Sequence, residues 1–163
     1  MSDSIGQVRA SKVTLEGKLD LDCGQALHDI ELVYETYGDL NSDASNAILI
    51  CHALSGSHHA AGLYEGDQKS GWWDSLIGPG KAIDTNKFFV VCSNVLGGCR
   101  GTTGPNSKNP KTNNYYGADF PVITIKDMVL LQKILIDSLD IKQLLGVVGG
   151  SLGCLLYTSD AAD

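Results

Sequence analysis

The chain has 163 residues, of which 43% are hydrophobic and 19% charged, with a net charge of -7. This length suits one domain with its own core, and this composition argues against a disordered polymer. An acidic balance without a Lys/Arg cluster argues against a nucleic-acid or anionic-membrane surface, and no apolar run nears the roughly 18 residues of a membrane span.

The N-terminus lacks a basic-then-apolar leader pattern. Five cysteines at irregular spacing, with no CxxC pair, read as buried free thiols in a reducing compartment. A cytoplasmic protein is the expectation. Cys51, His52, His58 and His59 cluster in sequence without ligand spacing, so no metal site is expected.

Residues 8 to 40 carry short alternating segments, the clearest being a strand from Ile30 to Tyr37 that ends at Gly38-Asp39. Asn41 to Asn46 is a polar turn. Ala47 to Cys51 is a continuous apolar run, as expected of a strand buried on both faces. Phe88 to Cys92 and Leu144 to Val148 are two more. Between these last two, Thr124 caps a helix with Asp127 as its box partner, followed by Met128, Leu131, Ile134, Leu135 and Leu139 at helical spacing. This order predicts an α/β fold with a mostly parallel sheet. The long Gly-rich connections, 53 to 80 and 95 to 120, are the places for a site.

Gly149-Gly150-Ser151-Leu152-Gly153 fits GxSxG and directly follows the third apolar run. By itself the pattern also fits a glycine-rich turn. After a strand it reads as a nucleophile elbow, which presents the serine on a tight strand-to-helix turn. A serine nucleophile needs a base for its proton and fixed N–H donors for the oxyanion. Leu152, next after the serine, offers one backbone donor. The loop after an earlier strand offers the other, which places it at Leu54 in Cys51-His52-Ala53-Leu54-Ser55-Gly56. His52 reads as a structural histidine bonded within that loop, because in this arrangement the catalytic histidine follows the serine and the acid. Trp72 and Trp73 read as packing residues. Gly97 to Gly104 lacks the Gly-Lys-Ser/Thr ending of a phosphate loop, and Asn94 is assigned no catalytic role.

Taken together, these motifs and several others resemble the homoserine O-acyltransferase family. They are His52-Ala53-Leu54-Ser55-Gly56, Gly71-Trp72-Trp73-Asp74, Ile77-Gly78-Pro79-Gly80-Lys81, Ile83-Asp84-Thr85, Ser93 to Cys99, Gly101 to Pro105, Asp119-Phe120-Pro121-Val122 and Gly149 to Gly153, in order along the chain. The resemblance implies an α/β-hydrolase fold, with residues 1–153 as the N-terminal part of one domain cut just after the elbow. It implies Ser151 as nucleophile and Leu54 and Leu152 as oxyanion donors. It further implies acyl transfer from an acyl-CoA co-substrate to the hydroxyl of L-homoserine in methionine biosynthesis, with no permanently bound cofactor and a homodimer for the complete protein. Acetyl-CoA is the favoured donor. Succinyl-CoA, a serine esterase of the same fold and a non-catalytic binding fragment remain as alternatives.

After Gly153 the sequence departs from the family, which continues with a small residue and a helix rich in Met, Gln and Ala. Residues 154–163, Cys154 to Asp163, read instead as a translated transposase sequencing adapter, a non-native tail. The four histidines, His28, His52, His58 and His59, all precede Ser151. The acid and histidine of a triad are therefore expected outside this chain, which is expected to be inactive by itself.

Overall fold

The computed structural model describes residues 4–160. Strands β1 (Ser11–Asp20) and β2 (Ala26–Tyr37) form a long hairpin. They are followed by β3 (Ala47–Cys51), the two-residue strands β4 (Ile77–Gly78) and β5 (Ile83–Asp84), and β6 (Phe89–Ser93). Helix α1 (Ile125–Ser138), strand β7 (Gly146–Gly149) and helix α2 (Leu152–Asp160) complete the order. The main sheet runs β1-β2-β6-β3-β7.

The expected parallel core lies in β6, β3 and β7, with Ile48 beside Val90 on one side and Leu49 beside Val147 on the other. β2 runs antiparallel to both β1 and β6. The short turn between β1 and β2 leaves no room for the crossover that a parallel pair requires.

The continuous apolar runs follow from a sheet covered on both faces. Along β3, Ala47, Leu49 and Cys51 enter one cluster, with Leu131, Leu135 and Ile136 of α1 and Leu156 of α2. Ile48 and Ile50 enter the opposite cluster, with Tyr37, Ala60, Ala61, Ile77, Val90 and Cys92. Each fully buried Leu or Ile contributes about 1.5–3 kcal/mol of burial. The α1 cap forms as read from sequence. The Asp127 carboxylate accepts from Thr124 N–H at 2.8 Å, and the Thr124 hydroxyl accepts from Asp127 N–H at 3.4 Å.

Two expectations need correction. The third apolar run forms only a short strand, Gly146–Gly149, and is not buried on both faces: Val148 is 38% exposed and Leu145 is more so. β7 is the edge of the described sheet, paired to β3 alone. Not all thiols are buried, since Cys23 and Cys99 are exposed. The stretch read as a foreign tail continues α2 as far as residue 160, with Leu156 buried in the core. The rest of that stretch, 161–163, lies outside the described residues. No helix among the described residues is long and apolar enough to cross a membrane.

Candidate active site

From β3 the chain crosses to β6 on one side and then back over to β7 on the other. In an open α/β sheet this reversal leaves a crevice beyond the carboxyl ends of the strands. Residues that follow those three ends, His52, Leu54 to Gly56, Asn94 to Arg100 and Leu152, line one cleft of about 490 Å³ together with Phe120, Ile123 and Met128.

Ser151 stands on the turn between β7 and α2 with φ +58, a left-handed conformation that a non-glycine residue rarely takes. Gly153 N–H bonds Gly150 O and Cys154 N–H bonds Ser151 O, both at 3.0 Å, which closes the turn into the helix. The flanking glycines let this turn sit on the end of β3. A Cβ at Gly149 would lie 2.8 Å from Cys51 O, and one at Gly153 would lie 2.2 Å from it. Ser151 is exposed, and Leu152 opens α2, where first-turn N–H groups lack intrahelical acceptors and the helix dipole favours negative charge.

Leu54 lines the same cleft as Leu152 and is 80% exposed, at the tip of a turn closed by Gly56 N–H on Ala53 O at 2.8 Å. His52 holds that loop from beneath. Its Nδ1 is 2.7 Å from Ala53 O, and its Nε2 accepts from Val95 N–H at 3.2 Å. Those partners leave one tautomer, with the proton on Nδ1. Burial pushes the His52 pKa below its ordinary value, partly countered by the bond to Ala53. With both nitrogens engaged, this ring is a brace rather than a base. No hydrogen bond joins Ser151 to a histidine among the described residues.

The Gly97 to Gly104 loop shapes the cleft. Thr102 donates its hydroxyl to Asn94 O at 3.1 Å and accepts from Val33 N–H at 3.0 Å, while Gly97 N–H bonds Thr103 O at 2.9 Å. Asn94 lines the cleft with its buried Nδ2 unpartnered among the described residues. Trp73 packs on the second cluster, and Trp72 donates Nε1–H to Ser57 O at 2.8 Å. Among the described residues no three His, Cys, Asp or Glu side chains are grouped to hold a metal ion.

Sequence reasoning passed over Glu35, whose side chain is wholly buried beside His59, Tyr37 and Tyr64. The available signal was phase: Glu35 alternates with Val33 and Tyr37, all three on the buried side of β2.

The family model for the alpha/beta hydrolase fold matches residues 46–162. The chain therefore belongs to the α/β-hydrolase family, the class that the sheet order and serine turn describe. Within it, the chain is 60% identical over 152 residues to a homoserine O-acetyltransferase of Methanohalobium evestigatum, covering 93% of this chain and 31% of that protein. It is 61% identical over 153 residues to a homoserine O-succinyltransferase of Marinobacter nauticus, covering 93% and 40%. Among solved structures, homoserine O-acetyltransferase from Bacillus anthracis superposes with a TM-score of 0.90 at 44% identity, covering 95% of this chain and 43% of that chain. Esterase E22 superposes at 0.86 and 43% identity, covering 92% and 42%. The chain thus spans well under half the length of the relatives it matches.

Proposed function

We propose that the complete protein transfers an acyl group from an acyl-CoA to the hydroxyl of L-homoserine, a step toward methionine, through a covalent intermediate on Ser151. The observation that carries this reading is the β7–Ser151–α2 turn, with Leu54 and Leu152 lining one cleft beside it. The similarity to homoserine acyltransferases along the chain supports the choice of acceptor.

In the first step Ser151 Oγ attacks the thioester carbonyl and gives its proton to a base. The tetrahedral oxyanion takes hydrogen bonds from Leu54 and Leu152 N–H. Its collapse breaks the C–S bond, and the CoA thiolate leaves with the proton. In the second step the homoserine hydroxyl attacks the acyl-serine and the same base takes its proton. The C–O bond to Ser151 then breaks, Oγ recovers a proton, and O-acylhomoserine departs. One oxyanion donor is worth about 100- to 1000-fold in kcat. The base is a histidine–carboxylate pair from outside residues 1–153, following the order serine, acid, histidine. Acetyl-CoA is our proposed donor, with succinyl-CoA as the rival. We further propose that residues after Gly153 are foreign to the natural gene, that the protein is cytoplasmic, and that the complete protein is a homodimer with no resident cofactor.

The test is mass spectrometry of full-length protein with each donor and homoserine, beside Ser151→Ala. Donor-dependent O-acylhomoserine that vanishes in Ser151→Ala supports the reading, and equal turnover in the variant refutes it. A serine esterase is the second reading, favoured by the likeness to esterase E22. Excluding water separates a transferase from a hydrolase, so acyl release to water that homoserine does not suppress would select the esterase.

A further inference from the structure

Glu35 does not line the cleft, yet it carries a buried acceptor that three neighbours share. Tyr37 donates its hydroxyl to Oε2 at 2.6 Å, and Tyr64 donates to Oε1. His59 Nδ1 lies 3.2 Å from Oε2 and 3.3 Å from Oε1. His58 reaches the same group through Tyr64, whose oxygen lies 3.1 Å from Nε2. Burial first, and then Glu35, push both phenols above their ordinary pKa, so both remain donors.

The direction of these bonds matters. Because Tyr37 gives its proton to Glu35, its oxygen lone pairs face the backbone and accept from Ala60 N–H at 2.9 Å and Ala61 N–H at 3.1 Å. The His59 ring stacks on Tyr64 with centroids 4.2 Å apart. Trp72 holds Ser57 O from the outer side. The segment 57–61 is therefore fastened to β2. At the other end of the loop, His52 fastens Ala53 and ties it to Val95. Between these anchors lies one tight turn, Ala53 to Gly56, with Leu54 at its exposed tip.

We propose that Glu35 is a positioning residue for the oxyanion hole: by fixing the Tyr37 hydroxyl it clamps residues 57–61 and so sets where Leu54 presents its N–H. This rests on the role for Leu54 proposed above. An oxyanion donor acts only if it is already in place when charge develops. A displacement near 1 Å caused by a change far from the chemistry costs about 100-fold. Glu35 and Tyr37 fasten groups that lie 21 to 29 residues further along the chain from the residue holding them, so the clamp is entirely tertiary.

The experiment uses the full-length protein with Glu35→Gln and, in case that variant folds poorly, Tyr37→Phe, which keeps the ring and removes the acceptor for Ala60 and Ala61. Amide hydrogen exchange of residues 52–61, thermal melting, and kcat and KM are measured for homoserine acylation and for p-nitrophenyl acetate hydrolysis. The expected result is exchange at Ala60 and Ala61 raised about tenfold or more. With it, kcat falls by about 10- to 100-fold while KM changes less than about twofold. Unchanged exchange, unchanged kcat, or a rise in KM with kcat preserved overturns the proposal. If the wild type acylates no homoserine but hydrolyses the ester through Ser151, the acceptor assignment fails and the Glu35 effect is read on the ester. If Ser151 supports neither reaction, both readings fall.

Discussion

Gly153 is where packing and chemistry meet most tightly, so its replacement by alanine is the sharpest test of the elbow. The new Cβ would stand 2.2 Å from Cys51 O, 2.9 Å from Cys51 C and 3.2 Å from Cys51 Cβ. Real Cβ contacts do not fall below 3.0 Å, and the obstacle is backbone of the central strand β3, which cannot swing aside as a flexible side chain would. The first turn of α2 therefore has to withdraw by about 0.8 Å, an overpacking strain of about 1–3 kcal/mol. Alanine in place of glycine in a helix returns at most about 1 kcal/mol, and less in a first turn. The net loss is about 1–2 kcal/mol of stability. The larger effect is on rate, because Ser151 and Leu152 move with the turn, and a shift of this size costs about 100-fold. Gly150→Ala is the matched control, since a Cβ there meets nothing within 4 Å. Thermal melts and homoserine acylation by the full-length variants decide the matter. A Gly153→Ala protein with the melting temperature and kcat of Gly150→Ala would refute the close approach of α2 to Cys51.

Three further outcomes follow from the same geometry. Because Ser151 holds φ +58, a conformation costing a non-glycine residue about 1–2 kcal/mol, Ser151→Gly should melt at or above Ser151→Ala while both are inactive. A lower melt for the glycine variant would contradict the strain. Burial depresses the pKa of His52 and of His58 below 6.5, so the unfolded chain binds protons there that the folded chain does not. Their contribution to stability is therefore present above about pH 6.5 and lost as pH falls through and below it, by at most about 1.4 kcal/mol per pH unit for each ring. Urea melts between pH 7.5 and 5.5 should show that slope, reduced in His52→Gln; an equal slope in the variant would remove His52 as a cause. The 163-residue chain expressed alone should show no homoserine acylation and should self-associate, since β7 is paired on one side only and Leu145, Val148 and Leu155 are exposed near it. A monodisperse monomer with a cooperative melt, or measurable turnover, would oppose this.

Where neighbours in sequence are also neighbours in space, the sequence was sufficient. The Thr124–Asp127 cap closes within one helical turn, and the Gly149 to Gly153 turn carries its strand, its serine and its helix start in consecutive residues. The runs at Ala47 and Phe88 showed strands buried on both faces because both faces of β3 and β6 are covered, a condition that leaves its mark on every residue of the strand. The Leu144 run carried the same mark, but among the described residues β7 pairs with β3 alone, so its burial depends on what lies beside it in the sheet and not on its own residues. Pairing direction and strand order were likewise not written in any one segment. Nor was the clamp on the oxyanion loop. Glu35, Tyr37, His59 and Tyr64 meet only after β2 and the 53–64 loop pack together, and Gly153 shows its necessity only once Cys51 lies against it. Local patterns follow from backbone sterics and periodic burial, which act over a few residues. These contacts arise from closing long loops, and which surfaces then meet depends on the whole sheet.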